Sequence, residues 1–428
     1  MSLGRYVRRR RSRKAMDRRR VVVTGVGPIT PIGQGKSAFW QSLREGRSGV
    51  QNVNDLIDLS GVDVRIGAPI RDFDPHHYMD RRRARRIDRT VQFALAAARL
   101  AFNDAGKETA GRSPGRTGVV VGTGIGGLQT MEESFAVLAE RGPRRVSPFF
   151  IPRLMPNSIA AEIAIDYGFH GANFGVVTAC ASSAHAIGLA AELIRTGSID
   201  AAMAGGSEAA LVRIAYAGFA RIGAISKQNE AADRASRPFD LKRDGFVMGE
   251  GAGILFMEER EAALARGAHI YAELAGFGMT EDAQHITAPC EDGSSAACAI
   301  AAAINQANLS AGDVDYVNAH GTSTQLNDKA ETAAIKRAFG NAADSLKISS
   351  TKSQIGHLLG AAGGVEAIAT LLSMEHAFIP ATLNYEFRDP DCDLDYTAEA
   401  VERPIRVAMS NSFGFGGQNA SLVFVRDK

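Results

Sequence analysis

Tryptophan occurs once in this chain of 428 residues, aromatics make up only 7%, and the four cysteines form no C-x-x-C pair. Cys180, Cys290, Cys298 and Cys392 are too few and too scattered for a disulfide framework or a zinc knuckle, so a reducing compartment, the cytoplasm, is the expectation. No run approaches the ~18–20 consecutive apolar residues of a membrane-spanning helix, and the N-terminus lacks the apolar core of a secretory signal. Net charge is also nearly absent. The 49 Lys and Arg against 47 Asp and Glu leave +2, which argues against a dedicated nucleic-acid binder and against a disordered polyelectrolyte. That sum hides two unlike parts: residues 1–20 hold nine Arg and one Lys against Asp17, or +9, which leaves −7 for residues 21–428 (+2 less +9). The basic tail reads as a disordered arm, a start-site artefact with Met16 as the alternative start, or an organelle-targeting remnant.

What the chain has in abundance is small residues, 45 Gly beside many Ala, which let helices and strands approach closely. Glycine repeatedly follows β-branched runs: Val21-Val22-Val23-Thr24-Gly25, Gly118-Val119-Val120-Val121-Gly122 and Gly175-Val176-Val177-Thr178-Ala179 each read as a buried strand ending in a turn. Asp88 is placed to cap a helix over residues 89–105 that stops at Gly106, with Val91, Leu95, Ala98 and Phe102 on one side. Residues 182–195 are almost all Ala, Ile, Leu and Gly and predict a helix buried around most of its circumference. Strands alternating with such helices imply an α/β sheet, parallel or mixed, covered on both faces. The small-residue segment opened by Cys180 is echoed by Gly356-His357-Leu358-Leu359-Gly360, so the chain divides into a basic tail (1–20), a first half (21–268) and a second half (269–428).

Cys180 stands out chemically. A cysteine between a β-branched strand and the first turn of a helix sits on free N–H groups at the positive end of a helix dipole, which predicts a lowered thiol pKa and a thiolate nucleophile. The other three cysteines have no such setting and read as structural. His320, in Val317-Asn318-Ala319-His320-Gly321-Thr322-Ser323-Thr324, and His357, with Lys352 nearby, both stand at strand-to-helix turns. Zinc ligation by Cys180, His320 and His357 is not expected, since no short ligand pair anchors such a site.

Two other motifs point elsewhere. Residues 122–127 satisfy G-x-G-x-x-G after a strand, with Glu140 at about the distance of a ribose-binding acid, so a nicotinamide-dependent oxidoreductase is the alternative; the plainer reading is a turn that lets a substrate or a second subunit pass. Arginines cluster at residues 81–86 and at Arg144-Arg145, and on an acidic body they fit solvated charge or an acidic protein partner better than nucleic acid.

Taken together, Val21–Gly27, Thr178-Ala-Cys-Ala-Ser-Ser183, Asn318-Ala-His-Gly-Thr-Ser-Thr324, Lys352-Ser-Gln-Ile-Gly-His357 and Asn411-Ser-Phe-Gly-Phe-Gly-Gly-Gln-Asn419 resemble the type II β-ketoacyl-[acyl-carrier-protein] synthases of the thiolase-like superfamily, over about residues 20–426. The resemblance implies a five-layered α/β/α/β/α fold of two similar halves, a homodimer, and decarboxylative condensation of an acyl thioester with malonyl-carrier protein in fatty-acid elongation, without any cofactor. Aromatic polyketide elongation uses the same scaffold. By the same resemblance, Cys180 is the nucleophile, the N–H groups of Cys180 and Phe415 hold the oxyanion, and His320 and His357 stabilise the enolate. Lys352 organises the electrostatics and Phe415 gates the site in a loop shared with Phe413. Ile125 and Phe219 line the acyl pocket, Thr322 and Thr324 hold the pantetheine arm, and Arg82, Arg85, Arg86, Arg144 and Arg145 dock the acidic carrier protein. Asn318, Glu366, Ser410 and Asn411 match a monovalent-cation site of some relatives. Gln418 departs from the threonine common at its place in the gating loop.

Overall fold

The computed structural model describes residues 18–106 and 113–427; most of the basic tail, residues 1–17, lies outside them. Where the chain enters the fold, Arg19 pairs with Asp200 and Arg20 with Glu273, so the last residues assigned to the tail belong to the body. The first half contributes β1 (Val21–Thr30), β2 (Thr117–Gly122), β3 (Asn173–Val176), β4 (Ala201–Glu208) and β5 (Gly251–Glu259). The second contributes β6 (Ala272–Glu281), β7 (Tyr316–Asn318), β8 (Lys347–Ser349), β9 (Val407–Gly414) and β10 (Gln418–Val425). Hydrogen-bonded neighbours run β3-β2-β4-β5-β1 and then β6-β10-β9-β7-β8. Numbering the strands of each half from one to five gives the order 3-2-4-5-1 twice. The senses agree as well: β2 is parallel to β3 and β4 as β7 is to β8 and β9, and the remaining pairs are antiparallel. The echo in the sequence is a repeated fold, and the halves join where Val22 and Val23 of β1 meet Glu273 and Ala272 of β6.

The helices that cover the sheets are α1 (Arg89–Asp104), α2 (Leu128–Arg141), α3 (Ser158–Tyr167), α4 (Ser182–Arg195), α5 (Arg213–Ile222), α6 (Ser294–Gln306), α7 (Gln325–Phe339) and α8 (Ala362–His376). Three cores define five layers. Ile187 and Ala190 of α4 and Val365 and Ile368 of α8 fill the space between the half-sheets, against Val120 on one side and Ala408 and Leu422 on the other. Ala94 and Ala98 of α1 with Ile163 of α3 cover the outer face of the first half through Val119 and Val121. Ile300 of α6 and Ile335 of α7 do the same for the second through Val317 and Met409. Both faces of each half-sheet are therefore buried, which is why these strands read as continuous apolar runs rather than alternating ones.

Asp88 caps α1 by accepting from the Thr90 N–H at 2.9 Å, and α4 spans residues 182–195 as its composition predicts. Two strand expectations change. β1 does not turn at Gly25 but bulges there and runs on to Thr30. A Cβ on Gly25 would stand 2.1 Å from the Ala101 carbonyl and one on Gly27 1.9 Å from that of Ala97, so these glycines admit the backbone of α1, not a turn. β3 is an edge strand rather than a buried one, with Asn173 and Phe174 exposed.

Candidate active site

The site forms where α4 and α8 begin, at the meeting of the two halves. Each helix is preceded by a short turn, Ala179–Ala181 and Leu359–Ala361, whose first residue has left-handed φ: 48° at Ala179 and 49° at Leu359. A non-glycine residue rarely adopts that conformation, and here both turns are locked from outside. The Ser182 hydroxyl donates to the carbonyls of Ala179 (2.6 Å) and Thr123 (3.0 Å) and accepts from the Thr178 N–H (2.9 Å), and Thr178 Oγ1 bonds His185 Nδ1 at 2.8 Å. Cys180 follows directly and projects into a cavity of about 310 Å³ with 9% of its surface exposed.

His320 and His357 face it. The Cys180 Sγ and a nitrogen of each ring lie within 4.8 Å of one another, and the two rings are edge to face at 5.4 Å. The His320 backbone is fixed by Glu331 of α7, which accepts from the N–H groups of His320 (2.8 Å) and Gly321 (2.7 Å). His357 is held by its N–H on the Val247 carbonyl (2.7 Å) and by the Gly249 N–H on its own carbonyl (2.9 Å). Lys352 reaches the same region fully buried and ion-paired with Glu366.

The electrostatics favour neutral imidazoles. Burial pushes both histidines well below their ordinary pKa, and the Lys352 ammonium pushes them further. Neutral rings each carry one N–H to offer a developing oxyanion. For the nucleophile the sequence expectation is corrected: burial raises the Cys180 thiol to about 11, although the Phe415 N–H directed at it and the Lys352 charge both act to lower it. The helix terminus supplies donors at this position, but it does not outweigh removal of the sulfur from water.

The remaining expected residues sort clearly. Ile125, Phe219, Thr322, Thr324, Phe413 and Phe415 all line the cavity with Cys180, His320 and His357. Thr322 and Thr324 share a hydrogen bond at 2.9 Å, and Thr324 caps α7. The loop of Phe413 and Phe415 lies against the Cys180 turn so closely that a Cβ on Gly414 would be 2.7 Å from the Thr178 carbonyl. Its turn needs the positive φ of Gly416 (90°) and Gly417 (83°). Gln418 takes its backbone place opposite Glu281 in the β10–β6 pairing. Arg82, Arg85, Arg86, Arg144 and Arg145 are all exposed; Arg82 and Arg86 edge a surface cleft with Phe149, over whose ring the Arg86 guanidinium lies at 5.0 Å. Arg83, between them, is instead committed to Glu162 and Asp166. Of the four residues expected to form a cation site, Asn318 Oδ1, Glu366 Oε2 and Ser410 Oγ are buried acceptors with no hydrogen-bond partner, whereas Asn411 Oδ1 accepts from Ser421 at 2.8 Å.

The G-x-G-x-x-G turn is not a dinucleotide cradle. The N–H groups of Gly124 and Ile125, which would face a pyrophosphate, donate to the buried carboxylate of Glu208 at 2.6 and 3.3 Å, and Glu140 is exposed near the end of α2. A carboxylate stands where the phosphate would, which overturns the oxidoreductase alternative. Glu208 and Glu331 are the site residues that sequence reasoning missed. The visible signal was an acid closing the otherwise apolar strand Ala201–Glu208; a single Glu on the polar-looking helix α7 gave none.

The Beta-ketoacyl synthase N-terminal domain model matches residues 18–263 and its C-terminal counterpart residues 271–386. The chain belongs to the β-ketoacyl synthase family. Among its relatives, the 3-oxoacyl-[acyl-carrier-protein] synthase 2 of Synechocystis sp. is 48% identical over 410 residues, covering 96% of this chain and 98% of the relative. The enzyme of the same name from Vibrio harveyi is 46% identical over 413 residues, covering 96% and 99%. Solved β-ketoacyl synthase structures agree in fold. The chain matches a β-ketoacyl synthase from Burkholderia phymatum with a TM-score of 0.89 at 38% identity, and a type II polyketide ketosynthase solved with its acyl-carrier protein with 0.89 at 36%, each over 96% of this chain and all of the other. This synthase chain is thus thiolase-like in both halves, and the two family models divide between residues 263 and 271. No helix among the described residues is long and apolar enough to cross a membrane.

Proposed function

We propose that this chain is an elongating condensing enzyme that joins an acyl thioester to malonyl-acyl-carrier protein with loss of carbon dioxide, giving 3-oxoacyl-acyl-carrier protein in fatty-acid synthesis. The observation that carries it is a cysteine on a strained helix-entry turn facing two buried neutral histidines across one apolar cavity. Cys180 attacks the acyl thioester; the sulfur–carbonyl bond to the carrier breaks, and the cysteine proton leaves on the departing carrier thiol. The tetrahedral oxyanion is held by the N–H groups of Cys180 and Phe415. Malonyl-carrier protein then enters, carbon dioxide leaves, and the enolate oxygen accepts from the His320 and His357 N–H groups while its carbon attacks the acyl-Cys180 carbonyl. The Cys180 sulfur–carbonyl bond breaks as the new carbon–carbon bond forms, and the departing Cys180 thiolate takes up one proton from solvent, the proton consumed per turnover, to restore the thiol. The Lys352 charge beside both rings opposes a divalent metal between Cys180 and the histidines. Identity of 48% to a 3-oxoacyl-[acyl-carrier-protein] synthase against 36% to a polyketide ketosynthase supports the fatty-acid reading. Incubation with acyl- and malonyl-carrier protein is expected to yield the elongated 3-oxoacyl product with equimolar carbon dioxide; absence of both sinks the proposal.

The carrier protein, which is acidic, is assigned to the exposed arginines at 82, 85, 86, 144 and 145 on a body that is itself acidic. Replacing Arg82 and Arg86 together by Glu is expected to raise KM for carrier-bound substrates about tenfold or more and to flatten the salt dependence, leaving kcat within about twofold, because rim charges act on encounter. Unchanged KM in steady-state kinetics at low salt removes this surface from the proposal.

A second copy is proposed along the open edge at β3, where Phe174, Val177 and Ile165 are 37%, 52% and 72% exposed. Sedimentation equilibrium is expected to give twice the chain mass; a monomer at all concentrations overturns it. A monovalent cation fits the orphaned oxygens of Asn318, Glu366 and Ser410, where it would neutralise buried dipoles beside β7 and β9 without entering the reaction. The cytoplasm is the proposed location, on the four free cysteines.

A further inference from the structure

Glu208 closes β4 fully buried, and its carboxylate bonds only uncharged donors. Oε1 accepts from Thr123 Oγ1 (3.0 Å) and the Ile125 N–H (3.3 Å); Oε2 accepts from the Gly124 N–H (2.6 Å) and the Gly360 N–H (3.0 Å). A buried carboxylate is costly unless such donors surround it, and each of these N–H groups would be costly without it. One group therefore ties three parts of the site. Ile125 forms a wall of the cavity beside Cys180. The Thr123 carbonyl receives the same Ser182 hydroxyl that locks the Ala179 turn. Gly360 belongs to the turn that follows His357 into α8, and it is pressed so tightly on the first loop that a Cβ there would lie 2.0 Å from the Gly124 nitrogen.

We propose that Glu208 is a positioning residue that sets which acyl chains load onto Cys180, by fixing the backbone of Ile125 against the Gly360 turn. This rests on the acyl-loading reading above. Ile125 lines the cavity that the acyl chain enters, and its place is set by a loop held by the side chains of Glu208 and Thr123, with the Thr90 hydroxyl donating to the Gly126 carbonyl at 3.4 Å. Thr123 Oγ1 both donates to Glu208 and accepts from the Gly126 N–H at 3.1 Å. Glu208→Gln presents an amide NH₂ to N–H groups that need an acceptor, so the loop must shift.

The experiment is single-turnover acylation of Cys180, read by intact-protein mass, over a ladder of acyl-carrier thioesters from short to long. It compares wild type, Glu208→Gln, Thr123→Val, Ile125→Ala and the Glu208→Gln/Ile125→Ala pair. Glu208→Gln is expected to change the long-to-short ratio of acylation rates about tenfold, the scale of pocket discrimination by a methylene or more. Thr123→Val should move the ratio the same way by less and, because it leaves the carboxylate in place, carries the test if Glu208→Gln does not fold. The pair should discriminate no differently from Ile125→Ala, since both changes act on one wall. Equal slowing at all chain lengths, or independent additive effects in the pair, would overturn the proposal and leave Glu208 merely structural. Wild-type protein that acquires no acyl mass from any thioester overturns the parent reading instead.

Discussion

Cys180→Ala is expected to lower elongation by about 10⁴-fold or more while carbon dioxide continues to be released from malonyl-carrier protein. The separation follows from geometry. Acyl transfer needs the sulfur, because no second nucleophile stands at the helix-entry turn, where Ala179 and Ser182 are engaged in holding its shape. Decarboxylation needs only donors for an enolate, which the proposal assigns to His320 and His357, whose backbones are fixed by Glu331 and by residues 247–249 rather than by Cys180. The substitution removes one sulfur from a nearly buried position and touches none of the bonds that lock the turn, so the melting temperature should change little. Intact-protein mass should show no acyl adduct. His320→Ala should give the opposite pattern: an acylated enzyme that no longer decarboxylates efficiently. Full elongation by Cys180→Ala would end the assignment of the nucleophile.

The resting state of that nucleophile limits how the thiol can react. With the Cys180 thiol raised to about 11, the protein does not hold a standing thiolate at neutral pH. On the proposed reading, the donors at the turn act on the reaction coordinate rather than on the resting enzyme: they stabilise the charge when sulfur and carbonyl share it, and transfer of the proton to the departing carrier thiol restores neutrality. This is preorganisation for the transition state, reached without the cost of exposing a buried thiolate between turnovers.

How far the sequence could be read varied with the physical scale of the signal. The helix of residues 182–195 was legible because a helix buried on all sides must be built of small and apolar residues, and its turn was legible because cysteine, serines and a preceding β-branched run coincide there. The two histidines that face Cys180 were legible for the same local reason. The extent of β1 was not: Gly25 and Gly27 signal a turn locally, and only the approach of α1 from about seventy residues away explains them. The edge position of β3 was equally hidden, since Phe174, Val176 and Val177 spell a buried strand and exposure depends on where the sheet ends. The thiol pKa was misjudged because a motif shows the donors around a group and not its depth. Glu208 and Glu331 escaped because their partners are backbone N–H groups, which every residue carries and no side-chain pattern marks.

Lys352→Met is expected to destabilise the fold by about 3–5 kcal/mol, and the double variant Lys352→Met/Glu366→Gln to recover most of that loss. Both side chains are buried, at 1% and 0% exposure, and they are each other's ion-pair partner. Removing the ammonium leaves a carboxylate that burial already drives toward protonation and that Lys352 holds ionised through its charge and its hydrogen bond. Removing both charges removes the liability. Stability and catalysis should then separate. The histidines are kept neutral first by burial and second by Lys352, so either variant loses the second contribution, and the pKa of both rings rises while burial still holds it below the ordinary imidazole value. Protonation with falling pH destroys the neutral donors, so the acid limb of malonyl decarboxylation should move to higher pH in the single and in the double variant alike, even though the double has regained its stability. Thermal melts and pH–rate profiles on the same preparations read the two quantities, and melts in potassium against tetramethylammonium chloride test the neighbouring cation site, where wild type should gain stability in potassium and the Glu366→Gln background should not. A double variant as unstable as the single would show that the loss does not come from an orphaned carboxylate, and an acid limb that stays in place in both would show that Lys352 is not the charge that tunes the histidines.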